Sequence, residues 1–296
     1  MKKSAILLIP LLIVVFCVGA TGCSGGGGQP VTHQISDDWH ESLVWMRQNT
    51  PDPFQDSNFL NNYSPCTIPA QDYNYPASAY WVMSWWDYGC WIIDTAKRLP
   101  IAISSEKGAM NAGLFFTAQD EVSASEVLDR LSSKYVIIDY DMALVKFYAM
   151  AILSGKDQGE FFGVFYRVAQ GGTPVLLYYP EYYQSMCSRL YNFGGREWVP
   201  KETTVISWKQ MEVRDNKGNN IQGKVITDQK AFTSFNEAEA FVQTNPDYII
   251  VGADPFDSPV PLGEVQNYRL IHKSPSTVMT QEGETISWVE IFEYSS

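Results

Sequence analysis

The pattern of apolar and polar positions changes near residue 170. Before that point, apolar residues at helical spacing predict helices within 39–46, 125–131 and 142–153. The first of these follows a capping cluster at 36–38. A compact apolar run at 135–138 is typical of a buried strand. This alternation predicts an α-rich core with a small sheet, over residues 37–170.

After residue 170 the chain consists of short β-branched and aromatic runs separated by Gly, Asn and Pro turns. A single helix at 236–244, with a capping-box start at Asn236 and Glu239, leads into a strand at 247–251. Five further runs predict strands, at 174–183, 203–213, 223–228, 268–274 and 285–294. Residues 171–296 are therefore expected to form a mainly antiparallel β region, and the fold class is predicted as α+β.

The N-terminus carries a strongly apolar segment. Lys2 and Lys3 precede the almost unbroken apolar run Ala5–Gly22, which is near the lower length limit for a bilayer-spanning helix. Positive charge before the run predicts a cytoplasmic N-terminus, with the rest of the chain outside. The same pattern fits a cleavable signal peptide. Residues 1–23 are thus read as a membrane anchor or signal segment, and the glycine-rich 24–36 as a flexible linker.

A third interpretation of the N-terminus is lipid attachment. The sequence Ala20–Cys23 resembles a lipoprotein processing site that leaves a lipid on Cys23, although the usual site has Leu where Ala20 stands. All three interpretations place the main domain outside the cell. The expected location is the cell membrane, through a single span or a lipid anchor.

Composition excludes several classes of function. The formal net charge of −12 argues against nucleic-acid binding, because a polyanion would be repelled. The cysteines Cys66, Cys90 and Cys187 show no zinc spacing and allow at most one internal disulfide. Only three histidines are present, so a histidine-built metal centre is not expected. An aromatic share of 14% is typical either of a ring-filled core or of a surface that contacts peptides or sugars.

The most specific motif is Trp85-Trp86-Asp87-Tyr88-Gly89. A carboxylate among indole rings is expected to have reduced water access, which makes its hydrogen bonds more important. Indole N–H donors beside the carboxylate acceptor are suited to hold a small hydroxyl group. The alternative is a core aromatic cluster with a capping Asp.

This motif is the hallmark of the catalytic subunits of oligosaccharyltransferases. The rest of the chain resembles the archaeal, AglB-type members of that family in segments that follow in the same order. These segments are residues 37–53, 185–195, 237–255, 260–276 and 291–294. The resemblance therefore covers the chain from about Asp37 to the C-terminus.

The resemblance implies a role for the motif. In the family it holds the hydroxyl of the Ser or Thr at position +2 of the acceptor sequence Asn-x-Ser/Thr, the sequon. Carried over, Trp85, Trp86 and Asp87 recognise this hydroxyl, with Tyr88 and Gly89 completing the motif. Such a site rejects a peptide without the hydroxyl, since its polar groups would be left unpaired.

A second family motif, Asp-x-x-Lys-x-x-x-Met/Ile, matches in part. Lys146 and Met150 fit its second half, whereas Asp141 precedes Lys146 by five residues instead of three. Helical periodicity places Met142, Lys146 and Met150 on one face of a single helix. Asp141 is either part of the acceptor site or the N-cap of that helix. A further departure is Cys90, where many members carry His after the Gly.

The complete family enzymes also contain a large multi-span membrane domain. Its acidic residues hold a divalent metal (Mn or Mg), the lipid-linked glycan and the acceptor Asn. This sequence shows one apolar segment and no such domain, so we expect no catalytic residue and no metal ligand or other cofactor in this chain. The chain alone is therefore expected to be incomplete for glycan transfer.

Two classes of function follow from these features. The first is an extracellular sequon-recognition domain in protein N-glycosylation, whose partners are acceptor proteins, the membrane and a multi-span membrane protein. It would be either part of a split enzyme or a paralogue that presents acceptors. The second is an anchored lipoprotein that binds peptides or carbohydrates without any role in transfer.

Overall fold

The computed structural model describes residues 35–54, 56, 59–60, 73–103, 106–167, 173–214, 218–281 and 283–295. The predicted apolar segment Ala5–Gly22, the glycine-rich linker and the proposed lipid site Cys23 lie outside these ranges. Among the helices within them, none combines the length and the hydropathy that a membrane span requires. The N-terminal anchor thus remains a prediction.

The first sheet has five strands and is mixed. Strand β1 pairs in parallel with β2 and β3, whereas β12 pairs antiparallel with both β3 and β9, giving the order β2-β1-β3-β12-β9. The strands are β1 (Trp81–Met83), β2 (Leu99–Pro100), β3 (Ser133–Asp139), β9 (Tyr268–Lys273) and β12 (Val289–Tyr294). The predicted strand at 135–138 is confirmed as β3, which lies in the middle of the sheet and is almost entirely buried.

The helices up to residue 191 are α1 (Asp37–Asn49), α2 (Gly89–Trp91), α3 (Glu106–Phe116), α4 (Glu121–Arg130), α5 (Tyr140–Leu144), α6 (Phe147–Leu153), α7 (Pro180–Gln184) and α8 (Met186–Tyr191). Of these, α1, α4, α5 and α8 contact strands of the first sheet. Helix α1 begins where the sequence predicts, because the Ser36 hydroxyl accepts the Trp39 N–H. Its buried face carries Trp39, Leu43 and Met46.

The second sheet also has five strands, in the order β5-β4-β7-β6-β8. Its strands are β4 (Phe162–Arg167), β5 (Thr173–Tyr178), β6 (Thr203–Arg214), β7 (Asn220–Phe232) and β8 (Tyr248–Val251), with helix α9 (Phe235–Thr244) between the last two. Only β4 and β7 pair in parallel. A separate hairpin joins β10 (Thr277–Met279) to β11 (Thr285–Ser287).

The protein is therefore a mixed α+β fold with several sheets. Strands β9 and β12 come from the predicted β region, yet they complete the first sheet. Strand β4 comes from the predicted core, yet it belongs to the second sheet. Sheet membership thus crosses residue 170, and the domain division placed there remains a prediction.

Three predicted elements are wrong in detail. The predicted helix 142–153 is two helices, α5 and α6, with a break between them. The predicted strand 174–183 stops at Tyr178, because Pro180 begins α7 at a position where proline is favoured. The predicted capping box of the helix at 236–244 does not form; Ser234 is the N-cap and makes no side-chain cap bond.

Candidate functional site

Residues Trp85–Gly89 form a tight turn directly after strand β1. Residues Trp86–Tyr88 are a single 3₁₀ turn, which sends successive side chains in different directions. Trp85 and Tyr88 are buried, whereas Trp86 and Asp87 are exposed to solvent. The motif therefore has an outward part and an inward part.

Gly89 is required by close packing at the end of this turn. A Cβ atom at Gly89 would lie 2.0 Å from the carbonyl oxygen of Ala102, a distance that no side chain can accept. The segment after β2 thus crosses directly over the first residue of α2. Glycine here fixes the path of the chain that carries Trp86 and Asp87.

The structure brings Asp87 and Lys146 together, although they are 59 residues apart in sequence. Lys146 Nζ lies 2.9 Å from Asp87 Oδ2 and 3.0 Å from the Tyr88 hydroxyl. The same ammonium lies 4.2 Å from the centroid of the Tyr88 ring. The Lys146 and Asp87 side chains are 26% and 36% exposed. The pair therefore sits at the surface, where it is accessible to a peptide.

The break between α5 and α6 positions Lys146. The Asp141 carbonyl accepts the backbone N–H groups of both Val145 (2.9 Å) and Lys146 (2.7 Å), which ends α5 and turns the chain outward. The Asp141 side chain is partly exposed in the first turn of α5, and the alternative that it caps this helix is wrong, because Asp139 is the N-cap. Asp141 thus reaches the site through its backbone.

Met142 and Met150 do not share an exposed face with Lys146. Both methionine side chains are fully buried, and Met142 Sδ lies 3.8 Å from the Ser84 hydroxyl. The helix break separates Met142 from the other two residues, so the predicted common helical face is wrong. Met150 lies in α6 one turn after Lys146, whose carbonyl accepts the Met150 N–H at 3.2 Å. Its predicted contact with the sequon remains a prediction.

The carboxylate that is shielded from water is Asp139, not Asp87. Asp139 Oδ2 accepts the indole N–H of Trp39 and Oδ1 accepts the backbone N–H of Met142, both at 2.8 Å. Burial raises the pKa of Asp139 to about 6, against the opposing effect of hydrogen bonds from Trp39, Met142 and Tyr88. The expectation of reduced water access at Asp87 is therefore wrong, and the buried carboxylate beside an indole is one that the sequence reasoning missed. The signal was an Asp between a buried strand and a helix, the usual N-cap position.

Tyr88 connects the surface pair to this buried carboxylate. Its ring lies 4.1 Å from that of Trp39 and 5.3 Å from that of Trp91, measured between centroids. Burial, and then the negative charge of Asp139, raise the pKa of the Tyr88 hydroxyl well above its usual range. The neutral hydroxyl accepts from Lys146. Tyr88 therefore lies between the surface pair and the buried carboxylate, whose charge acts on its hydroxyl.

The described residues contain no group of three or more His, Cys, Asp or Glu arranged to hold a metal ion. Cys187 is free and buried. Cys90 forms a disulfide. The side chains around Asp87 and Lys146 therefore do not fit a metal site, and no step at this site is assigned to a metal.

Comparison with known proteins supports the resemblance on which the site was first identified. A family model described as the AglB core domain matches residues 36–143, a range that contains the Trp85–Gly89 turn and Asp139. The dolichyl-monophosphooligosaccharide–protein glycotransferase AglB of Haloferax volcanii is 29% identical over 93% of this chain and 28% of its own length. The resemblance to the archaeal oligosaccharyltransferases is confirmed. It is of the AglB type.

Two further AglB-type proteins are similar to this chain. Dolichyl-phosphooligosaccharide–protein glycotransferase 3 of Archaeoglobus fulgidus is 30% identical over 62% of this chain and 25% of its own length. The crystal structure of an Archaeoglobus fulgidus oligosaccharyltransferase in the apo form matches 88% of this chain and 32% of that chain, with a TM-score of 0.50 and 20% identity. That structural likeness concerns the fold. The chain spans about a quarter of the length of these curated relatives.

Proposed function

We propose that this chain is the acceptor-recognition domain of an oligosaccharyltransferase, acting in protein N-glycosylation. The observation that carries the proposal is the Asp87–Lys146 pair, 2.9 Å apart at the surface. It joins the two motifs that the family resemblance assigns to the +2 residue of the sequon. Exposed ion pairs of this kind contribute little stability, so a binding role accounts for the arrangement better than a structural one.

The chemistry of the pair suits a hydroxyl group. A Ser or Thr hydroxyl both donates and accepts a hydrogen bond. The Asp87 carboxylate accepts, and the Lys146 ammonium donates, so the two groups together offer one partner for each role. A Val side chain at +2 would displace water from both groups and replace neither bond, which is unfavourable.

The surrounding aromatic and apolar groups complete the proposed pocket. The exposed Trp86 ring lies beside Asp87 and forms a wall for the peptide, supported by Trp85, whose ring centroid is 6.3 Å away. The family resemblance places Met150 at the methyl group of a Thr, although its side chain is fully buried here. Asp141 contributes the carbonyl that holds the Lys146 backbone.

We further propose that this domain lies outside the membrane and relies on another part of the enzyme for transfer. The glycan donor, a lipid-linked oligosaccharide, and a divalent metal such as Mn or Mg would be held there. Purified chain given donor, metal and a sequon peptide is expected to make no glycopeptide, and activity should appear when a multi-span partner is added. Robust transfer by the chain alone would contradict this division of labour.

The recognition role is tested by peptide binding. Chemical-shift changes in an NMR titration should be larger with an Asn-x-Thr peptide than with the Asn-x-Val peptide of otherwise identical sequence. The changes should map to Trp86, Asp87 and Lys146. Equal responses to both peptides would overturn the proposal.

A further inference from the structure

The second sheet closes on itself at one end. Its strand order places β5 and β8 at opposite edges. Even so, Tyr178 at the end of β5 and Gly252 directly after β8 exchange two backbone hydrogen bonds, of 2.8 and 2.9 Å. Joining the edge strands in this way curls the sheet into a partly closed barrel. The mouth of a barrel is a common place for a small-molecule site.

A cavity of about 200 Å³ lies within this barrel, and all five strands of the sheet contribute to its lining. Its floor is apolar, because Leu177, Ile206 and Val251 line it and are only 2%, 1% and 1% exposed. Glu202 and Ala253 also line the cavity and are exposed, so solvent reaches it. The volume suits a ligand smaller than a drug-sized molecule, whose pockets begin at about 300 Å³.

Arg167, the last residue of β4, places an unpaired donor at this cavity. Its Nε is buried and makes no hydrogen bond within the part of the chain that the structure describes. Buried N–H groups are nearly always paired, and a charged donor left without an acceptor is costly. A bound carboxylate is a suitable acceptor, because guanidinium and carboxylate groups form strong, charge-assisted hydrogen bonds.

Three carboxylates line the same cavity, those of Glu202, Asp254 and Asp257. The segment that carries Asp254 has a fixed path, since the Tyr183 hydroxyl donates to the Asp254 carbonyl at 2.7 Å. A Cβ atom at Gly252 would lie 2.1 Å from the same hydroxyl oxygen, so only glycine permits this approach. The acidic side of the cavity is therefore preformed.

We propose that this cavity binds a small zwitterion, an α-amino acid with an apolar side chain. The carboxylate of the ligand pairs with Arg167, and its ammonium group faces the carboxylates of Asp254 and Asp257. The side chain of the ligand then lies on the apolar floor. The cavity shares no residue with the Asp87–Lys146 pair, and the inference does not rest on the proposed function.

The charges that line the cavity favour a zwitterion over simpler ligands. A purely anionic ligand would be repelled by the three carboxylates, and a purely cationic ligand would be repelled by the guanidinium. A neutral sugar would leave charges of both signs without a counter-charge in a site partly removed from water. A ligand with one charge of each sign satisfies both sides at once.

Calorimetric titration of the purified protein with leucine tests the class of ligand. Isocaproate, which lacks the amino group, and isoamylamine, which lacks the carboxylate, are matched controls. Leucine should bind saturably at one site, and each analogue should bind about tenfold more weakly or less, because each loses a charged contact. Equal binding of either analogue, binding of glucose without leucine, or no binding of leucine would overturn the inference.

Substitution of Arg167 tests whether the cavity is the binding site. Arg167→Gln should weaken leucine binding about tenfold or more, because the charged partner of the ligand carboxylate is lost. Arg214→Gln is the matched control, since Arg214 is exposed on β6 of the same sheet and does not line the cavity. Urea unfolding establishes that both variants are folded. A folded Arg167→Gln variant with unchanged affinity would overturn the inference.

Asp257→Asn provides a second variant if Arg167→Gln does not fold. It should weaken the binding of leucine and leave the binding of isocaproate unchanged, because only leucine carries the ammonium group that faces Asp257. An affinity for leucine equal to that of the unmodified protein would contradict the proposed orientation and overturn the inference.

Discussion

The two carboxylates of the site region, Asp87 and Asp139, have different surroundings and different consequences. Asp87 is paired with Lys146 at the surface, where solvent screens the interaction. Asp139 is almost fully buried and accepts hydrogen bonds from an indole and a backbone N–H. The surface pair is therefore suited to exchange partners with a peptide, whereas the buried layer is suited to hold a fixed geometry.

Tyr88 shows how the two regions depend on each other. Its ring belongs to the buried aromatic layer with Trp39, and its hydroxyl accepts from the surface Lys146. The Tyr88 hydroxyl beneath Lys146 thus helps to fix the position of the ammonium group, in addition to the helix break. Changes in the buried layer should affect stability first, and changes at the surface should affect recognition alone.

The largest loss of stability is expected at Gly89, where close packing fixes the path of the chain. Gly89→Ala should lower the free energy of unfolding by about 3 kcal/mol or more, because its Cβ would overlap the Ala102 carbonyl. Gly263→Ala is the control, since a Cβ there meets nothing within 4 Å. Urea unfolding of both variants measures the difference. Equal stability of the two would show that the turn is not held by this contact.

Removing the buried carboxylate should have the next largest effect. Asp139→Ala leaves the Trp39 indole and the Met142 N–H without partners and should cost about 2 kcal/mol. Asp120→Ala removes an exposed N-cap from α4 and should cost about 1 kcal/mol. Thermal unfolding at neutral pH compares them. If the Asp139 variant is at least as stable as the Asp120 variant, the buried hydrogen bonds of Asp139 do not stabilise the fold as proposed.

Asp139 should also make stability depend on pH. Its pKa is about 6 in the folded protein against an ordinary value of 3.8, so the folded state binds this proton more tightly than the unfolded state. The free energy of unfolding should therefore fall as pH rises from about 4 to about 6, by on the order of 1 to 2 kcal/mol.

The comparison variant is Asp139→Asn, whose side chain does not titrate. Its free energy of unfolding should not show this decrease between about pH 4 and about pH 6. Buried Glu290, whose pKa is raised to about 7, contributes to the pH dependence of both proteins and is removed by subtraction. Urea unfolding at several pH values provides the data. An identical pH dependence of the two proteins would contradict the assignment.

The smallest effect on stability is expected at the surface pair. Lys146→Gln should change the free energy of unfolding by no more than about 1 kcal/mol. Lys230→Gln, which breaks an exposed pair with Asp228 at 2.8 Å on the second sheet, should behave similarly. A clearly larger loss for Lys146→Gln would mean that the pair is structural.

Sequence reasoning predicted the elements whose signals are local. The capping serine and apolar spacing of α1, the buried run of β3 and the alternating strands after residue 200 are all properties of short segments. It also proposed Asp87 and Lys146 as candidate site residues, through the family resemblance. Their 2.9 Å contact depends on tertiary structure and could not be read from spacing.

The missed features depend on contacts between distant segments. The buried layer at Asp139 forms because Trp39, 100 residues earlier, donates a hydrogen bond to its carboxylate. The break between α5 and α6 has no proline or glycine at the junction; the Asp141 carbonyl replaces the regular helical bonds. Periodicity continued smoothly through 142–153 and therefore predicted one helix where two exist.

The central claim is that Asp87 and Lys146 together recognise the sequon hydroxyl, and one titration tests it directly. NMR shift changes are measured for Asn-x-Thr and Asn-x-Val peptides with the Lys146→Gln and Lys230→Gln variants. The account predicts that Lys230→Gln keeps the wild-type preference for Asn-x-Thr, whereas Lys146→Gln loses most of it while remaining folded. A folded Lys146→Gln variant that retains the full preference would contradict the claim.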